Sequence, residues 1–195
     1  LADISARAVQ TLAEVDRIAA EDTRHTRGLL QHLGIQRPML ALHDHNEVTQ
    51  VPRLIKFLQA GERIALVSDA GTPLISDPGY SLVRDCREAG VAVVPIPGPS
   101  ALISALSVAG LPTDRFRFEG FLPRKPGLRR ELLQSLSDET ATLVFYEASH
   151  RILETLQALI EVFGADRESV LARELTKRYE TLMHGRLDSL LARLI

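Results

Sequence analysis

Short apolar runs alternate with amphipathic stretches along most of this chain. The runs are rich in branched or small apolar residues and too short for helices, so they predict buried strands at 17–20, 39–42 and 64–67. Between them, apolar residues recur at helical spacing, as from Val51 to Leu58. Strands that alternate with helices predict a parallel, doubly wound α/β lobe.

A second group of elements follows an interruption at 110–113, where Gly110 and Pro112 break the pattern. The apolar runs predict one more strand before this point, at 91–95, and further strands after it at 115–120, 142–146 and 169–172. We therefore expect two lobes, an N-terminal α/β lobe over residues 1–111 and a C-terminal α/β lobe over residues 112–195.

Polar segments follow the predicted strands where each strand ends: EDTR, HDHNE, SDAGTP, PGPS, YEASHR and ARELTK. Carboxyl ends of parallel strands lie at one edge of a sheet, where open α/β proteins bind ligands. In SDAGTP, Gly71 lets the backbone approach a ligand and Pro73 stiffens the chain beyond it. Asp69 is the charged group of this loop. A plain turn role for Asp69 stays open, because Asp is common in turns.

Composition limits the possible functions of the chain. Its 195 residues are 45% hydrophobic and 25% charged, which is typical of a globular protein, and no apolar run is long enough to cross a membrane. No signal peptide is visible, and the single cysteine, Cys86, cannot form an internal disulfide, so we expect a cytoplasmic protein. The net charge of -2 means that nucleic-acid binding requires local basic patches.

Such patches lie around Arg24, Lys125 and Lys177, where they can provide phosphate contacts. The HDHNE segment contains residue types that bind metals. With one cysteine and no second histidine cluster, we favour a substrate contact or a hydrogen-bond network there, and we expect no metal site.

The motifs together resemble one family. The succession AAEDTR, HDHNE, ALVSDAGTPLISDPGY, VVPIPGPSA, FEGFLPRK, FYEASHR and ARELTK is similar to the ribosomal RNA small subunit methyltransferase I family, which belongs to the tetrapyrrole-methylase-like, or class III, methyltransferases. The resemblance extends from Leu1 to about Leu191. It implies a two-lobed class III fold, with a parallel doubly wound first lobe and an α/β second lobe with a mixed sheet. In the family pattern, one more strand precedes Leu1 and a C-terminal segment follows Ile195.

The resemblance also implies an activity. Family members transfer a methyl group from S-adenosylmethionine to the ribose 2′-oxygen of a cytidine in 16S rRNA of the small ribosomal subunit, and act as homodimers. By matching position, the residues implied to bind the cofactor are Asp69, Ala70, Gly71, Thr72, Pro73, Pro97, Gly98, Pro99, Ser100, Ala101, Phe145 and Tyr146.

Deprotonation of the ribose hydroxyl would be helped by a general base. The sequence offers five unranked candidates for this catalytic role: Glu21, Asp22, His43, His45 and Glu147. The basic residues expected to hold rRNA phosphates are Arg24, Lys125, Arg151 and Lys177.

Three alternatives stay open at this point. The first is a methylase of a tetrapyrrole or other small molecule, although the basic loop around Lys125 and the HDHNE segment favour RNA. The second is a phosphate-handling hydrolase with Asp69 as nucleophile. Such an enzyme needs a second carboxylate two residues further on, where Gly71 stands. The third is a non-catalytic ribosome-binding fragment.

Overall fold

The computed structural model describes residues 2–195, and its internal contacts divide the chain into two units. The first unit ends at Ser100, and the second is Ala101–Ile195. The expected lobe boundary after Leu111 lies further along the chain and stays a prediction. Every helix in residues 2–195 is too short or too polar to span a bilayer.

The first unit contains a three-stranded parallel sheet with the strand order β2–β1–β3. Strand β1 is Arg17–Ala20, β2 is Met39–Ala41 and β3 is Ile64–Val67. The sequence predicted all three strands, and only β2 differs, by ending one residue early. Their carboxyl ends lie at the same edge because every pair in the sheet is parallel.

Helices cover both faces of this sheet. They are α1 (Ala6–Glu14), α2 (Thr23–His32), α3 (Glu47–Gln59) and α4 (Tyr80–Glu88). Successive β1 side chains point to opposite faces: Ile18 and Ala20 pack in the core that includes Leu12 and Leu30, whereas Ala19 packs in the core that includes Leu54. The doubly wound arrangement predicted from the sequence is confirmed.

The strand predicted at 91–95 is wrong. Residues 91–100 pair with no strand of residues 2–195, and Val93 and Val94 are 49% and 61% exposed. An apolar run becomes a buried strand only where a partner satisfies its backbone groups. Beyond Val94, every second residue is a proline, namely Pro95, Pro97 and Pro99. Proline has no backbone N–H, so one edge of this segment could not donate hydrogen bonds to a neighbouring strand.

The second unit combines parallel and antiparallel pairing. Its helices are α5 (Ala101–Ala109), α6 (Pro126–Ser135), α7 (Ile152–Phe163) and α8 (Leu187–Ala192). Its strands are β4 (Phe116–Phe121), β5 (Thr142–Tyr146), β6 (Glu168–Arg173) and β7 (Thr181–Arg186). Strands β4 and β5 are parallel, and β6 and β7 are antiparallel, in two separate two-stranded sheets.

Strand β7 was not predicted from the sequence. Its residues, TLMHGR, place two apolar side chains next to each other and show no alternation, and Gly185 is unfavourable within a strand. Pairing with β6 over the full register, from Glu168 with Arg186 to Arg173 with Thr181, outweighs the weak local preference.

Candidate functional site

Three of the predicted site residues meet where β1 and β3 end. The backbone N–H of Asp22 donates to Oδ1 of Asp69 at 3.1 Å, and the backbone N–H of Asp69 donates to Oε2 of Glu21 at 3.1 Å. Each strand end therefore supplies a carboxylate oxygen to the backbone of the other. The resulting pair of hydrogen bonds fixes the start of the loop that follows β3.

Asp22 also begins helix α2. Its Oδ1 accepts a hydrogen bond from the backbone N–H of Arg24 at 2.8 Å, and its Oδ2 accepts one from Nη2 of Arg24 at 2.9 Å. These hydrogen bonds from Arg24 lower the pKa of Asp22 to about 2. The Arg24 side chain is 85% exposed, but its charge is already compensated by Asp22.

The HDHNE segment forms the turn between β2 and α3. The backbone N–H of His43 donates to Oδ1 of Asn46 at 2.9 Å, and Nδ2 of Asn46 donates to the carbonyl of Ala41 at 3.1 Å. Nδ1 of His43 is buried and has no hydrogen-bond partner within residues 2–195. The His45 side chain is exposed, with its ring 6.0 Å from that of His43. Residues 2–195 contain no His, Cys, Asp and Glu group suited to a metal ion.

The loop after β3 adopts an unusual backbone conformation. Gly71 has φ +74°, and two non-glycine residues, Leu74 and Ser76, have φ 73° and 63°. Side chains disfavour this left-handed region, so such residues persist only where surrounding contacts hold them, often at ligand sites. The first residues of the loop, Ala70 to Thr72, are exposed.

Gly79 fixes the other end of the loop. Its backbone N–H donates to Oε1 of Glu47 at 2.6 Å, and its φ is +123°. A Cβ atom at this position would lie 2.6 Å from Cδ2 of Leu66 and 3.1 Å from Cδ1 of Leu74. Only glycine therefore fits where the loop enters helix α4.

The two segments predicted to form the walls of the cofactor site are in contact. Oγ1 of Thr72, in the loop after β3, donates to the carbonyl of Pro99 at 3.0 Å. Oγ of Ser5 donates to the carbonyl of Pro97 at 3.0 Å and provides a second hydrogen bond to the same segment. Within the first unit, the structure thus brings together residues 69–73 and 97–100. Ala101 begins helix α5 of the second unit.

Asp77 is a residue whose role the sequence did not reveal, because SDPG predicts only a turn or a cap. Burial raises the pKa of the Asp77 carboxyl, and so do the negative charges of Glu21, Asp69 and Asp44, while a hydrogen bond from Ser68 partly offsets them. Asp77 therefore belongs to the acidic group at this edge. The second polar turn so soon after SDAGTP was the signal that could have identified it.

In the second unit, aromatic side chains gather where β4 and β5 end. The ring of Tyr146 packs edge-on against Phe118, with centroids 4.8 Å apart, and against Phe121, with centroids 5.6 Å apart. Phe121 is 55% exposed. Phe145 and Tyr146, both predicted to bind the cofactor, are half-buried residues of β5.

Glu147 follows Tyr146 and is almost completely enclosed by donors. Its Oε1 accepts from the backbone N–H of Ala148 at 2.8 Å and lies 3.3 Å from Nη1 of Arg151. Its Oε2 accepts from Oγ1 of Thr155 at 2.6 Å. Both oxygens of this candidate base are thus occupied, and its side chain is only 6% exposed.

The remaining predicted phosphate contacts differ in how far their charges are compensated. Nζ of Lys177 lies 3.2 Å from Oε1 of Glu174 in the loop after β6. Arg124 and Lys125 precede helix α6, are exposed, and have no ion-pair partner within residues 2–195. The loop before α6 therefore presents two uncompensated positive charges.

Comparisons with known proteins identify the family. The model of the tetrapyrrole (corrin/porphyrin) methylases matches residues 1–191. A protein of Xylella fastidiosa (strain Temecula1) named ribosomal RNA small subunit methyltransferase I is 61% identical over 190 residues, which are 97% of this chain and 70% of that protein. The chain belongs to this methyltransferase family. Its Escherichia coli O157:H7 member, of the same name, is 58% identical over 98% of this chain and 67% of its own length. The predicted family and the methyltransferase class are confirmed.

Solved structures support the fold at much lower identity. The methyltransferase CobJ aligns with a TM-score of 0.68 and 17% identity over 95% of this chain and 82% of its own. Diphthine synthase aligns with a TM-score of 0.70 and 18% identity over 98% of this chain and 79% of its own. The predicted class III α/β fold is therefore confirmed.

Proposed function

We propose that this chain transfers a methyl group from S-adenosylmethionine to the ribose 2′-oxygen of a cytidine in 16S rRNA of the small ribosomal subunit. The observation that carries this proposal is the identity of 54–61% to relatives named ribosomal RNA small subunit methyltransferase I, over nearly the whole chain. The contacts between the SDAGTP and PGPS segments support a ligand site at the matching positions.

The residues at the first sheet edge fit a methyl donor that carries positive charge on its sulfur and its amino group. Three carboxylates lie at this edge, those of Asp69, Glu21 and Asp77, and none of them has an ion-pair partner within residues 2–195. The nearby Arg24 is already paired with Asp22. A bound cation would relieve this mutual repulsion. The exposed backbone from Ala70 to Thr72 offers hydrogen-bonding groups to the rest of the donor.

The donor supplies, when bound, a methyl group that is already activated for displacement by a ribose oxygen. The task of the protein is then alignment of the two reactants and removal of the hydroxyl proton. Within the first unit, we assign the donor to residues 69–73 and 97–100. A donor contact by Ala101, Phe145 and Tyr146 of the second unit stays a prediction from the family resemblance. Asp69 serves to orient the donor, since its Oδ1 already accepts a backbone hydrogen bond.

The candidates for the general base differ in their surroundings. Asp22 is the weakest, because a carboxyl with a pKa of about 2 holds a proton poorly at neutral pH. Glu147 has both oxygens occupied by donors, and Glu21 accepts from the backbone of Asp69. The ring of His45 is exposed, whereas Nδ1 of His43 is buried without a hydrogen-bond partner within residues 2–195, and both stay candidates. Asp77 joins them as a further candidate, because its raised pKa brings it closer to the working pH.

On the RNA side, we assign Lys125 to a backbone phosphate, because its exposed charge has no partner among the described residues. Arg24 and Lys177 would exchange their present carboxylate partners for phosphates. An rRNA substrate places the protein in the cytoplasm with the ribosomal subunits. We further propose a homodimer, as the family resemblance implies, which sedimentation of the purified chain would test.

The test is incubation of the full chain with donor labelled at the methyl group and with immature small ribosomal subunits. The rRNA is then digested to nucleosides, and the label is located by mass spectrometry. We expect label on a single 2′-O-methylcytidine. A parallel reaction with a tetrapyrrole precursor tests for small-molecule methylation. Label on a base, or on the tetrapyrrole alone, contradicts the proposal.

A further inference from the structure

Arg151 makes contacts that differ from those of a phosphate-binding arginine. Its side chain is 13% exposed, and its Nη1 lies 3.3 Å from Oε1 of Glu147. Its Nη2 donates to the carbonyl of Leu122 at 3.1 Å and to the carbonyl of Pro123 at 3.2 Å. The guanidinium thus joins the carboxyl end of β5 to the loop that follows β4.

Thr155 completes this arrangement from helix α7. It is 2% exposed, and its hydroxyl donates to Oε2 of Glu147 at 2.6 Å. The hydroxyl and Arg151 therefore hold the two carboxylate oxygens of Glu147 in a fixed orientation. We call Glu147, Arg151 and Thr155 the Arg151 network.

The loop that the network holds carries two exposed cations that have no ion-pair partner among the described residues. Leu122 is buried and Pro123 half-buried, whereas the next two residues, Arg124 and Lys125, are exposed. Both carbonyls bound by Arg151 thus lie immediately before the two cations. A loop attached at this point restricts where the cations can reach, and restricting groups before binding reduces the entropy lost on binding.

We propose that the Arg151 network positions the loop 122–125 so that Arg124 and Lys125 meet phosphates of the RNA backbone, and that Arg151 itself does not contact RNA. This inference rests on the proposed function and names the surface through which the substrate binds. Arg151, Glu147 and Thr155 are positioning residues. The phosphate contacts are made by the two loop cations.

Arginine is the side chain suited to this role. Its planar guanidinium can donate to a carboxylate and to two carbonyls at once, whereas the single ammonium of lysine cannot reproduce that geometry. A direct phosphate contact would tolerate Arg151→Lys far better, because the positive charge is kept. The two roles therefore predict different results for this substitution.

The experiment measures two properties of full-length Thr155→Val and Arg151→Lys. The first is the rate of limited trypsin cleavage after Arg124 without RNA, which we expect to become about tenfold faster as the loop loosens. The second is affinity for a 16S rRNA fragment, which we expect to fall about fivefold with donor affinity unchanged. Thr155→Val is nearly isosteric, and its site is too buried to touch RNA.

A double-mutant cycle assigns the loss to the loop. In a chain that carries Arg124→Ala and Lys125→Ala, adding Thr155→Val should cause no further loss of RNA affinity. The matched control is Arg130→Lys in helix α6, which replaces an exposed arginine paired with Glu161. It should alter neither the rate of cleavage after Arg124 nor RNA affinity by more than twofold.

An unchanged rate of cleavage after Arg124 in both variants overturns the inference. So does a fivefold loss from Thr155→Val that persists in the chain without the two loop cations. Failure of the wild-type chain to bind or methylate rRNA counts against the proposed function instead. The cleavage measurement needs no RNA, so it still decides whether the network holds the loop.

Discussion

The two parallel sheets of this protein carry opposite electrostatic arrangements at their carboxyl edges. In the first unit, three carboxylates lie at this edge, those of Glu21, Asp69 and Asp77. Glu21 and Asp69 accept hydrogen bonds from neutral backbone N–H groups. In the second unit, Glu147 is enclosed by Arg151 and Thr155. The first edge thus has excess negative charge, whereas the carboxylate of the second is compensated.

This difference separates the proposed ligand site from a structural support. Carboxylates that repel one another cost stability, and proteins tolerate the cost where a function requires the charge. A compensated, buried carboxylate instead fixes local geometry. Acidic residues that follow strand ends therefore have different roles at the two edges. Substitutions at the two edges should change stability by different amounts and in different directions.

The largest effect should follow Gly79→Ala, which breaks the acidic edge by displacing its loop. The added Cβ would lie closer to Leu66 than real structures allow and in tight contact with Leu74, and the positive φ adds strain. We expect a loss of about 3–5 kcal/mol in the free energy of unfolding, measured by denaturant titration.

Gly61→Ala is the matched control for this substitution. Gly61 has φ +90°, and no atom would lie within 4 Å of an added Cβ, so only backbone strain applies. Its cost should be about 1 kcal/mol. Equal losses in the free energy of unfolding for the two variants would show that the close approach of Gly79 to Leu66 does not contribute to the effect.

Glu147→Gln tests the compensated edge. The amide keeps the size of the side chain but leaves the charge of Arg151 buried without a counter-ion. Breaking a buried pair from one side is costly, so we expect a loss of about 3 kcal/mol in the free energy of unfolding. Glu161→Gln, which affects an exposed pair with Arg130, should cost less than about 1 kcal/mol. A stable Glu147→Gln chain would remove the contrast between the edges.

Asp69→Ala should act on the donor more than on the fold. It removes both a charge at the acidic edge and the acceptor of the Asp22 backbone N–H. We expect donor affinity, measured by calorimetry, to fall about tenfold, as for a lost charged contact. Asp69→Asn keeps an acceptor oxygen, so it separates the effect of losing the charge from the effect of losing the hydrogen bond. Asp114→Ala, at an exposed side chain of the second unit, is the control. Unchanged affinity would make Asp69 a turn residue only.

The sequence predicted these edges better than the interactions within them. Apolar runs identify β1, β3 and β5 because burial of short branched segments follows from their composition. The same rule failed at 91–95, where an apolar run has no partner strand among the described residues, and at β7, where pairing outweighs a weak pattern. Local sequence carries the propensity, but pairing depends on distant residues.

Residue roles within the site were harder to predict for the same reason. The motifs indicated Asp69 and Glu147 as polar residues after strands, and nothing in the sequence distinguished their surroundings. The partners of Asp69, which are Glu21 and Asp22, are remote from it in sequence. The partners of Glu147 lie close to it in sequence, at Arg151 and Thr155. Asp77 was missed because burial and neighbouring charges, rather than its own motif, alter its pKa.

The smallest effect, and the one of opposite sign, should follow Asp77→Asn. Burial and neighbouring carboxylates raise the pKa of Asp77 above the value that it has in the unfolded chain. A raised pKa means that the folded state favours the protonated form, so stability from this group is present at low pH and is lost as pH rises through the folded pKa. At pH 7 the ionised carboxylate is therefore destabilising, and asparagine removes that charge. We expect a Tm a few degrees higher at pH 7, with the gain disappearing below the ordinary pKa of aspartate, near 4. Asp114→Asn, at an exposed side chain, should show no such dependence. A lower Tm for Asp77→Asn at pH 7 would mean that Asp77 is compensated like Glu147, and that the acidic edge does not carry unrelieved negative charge.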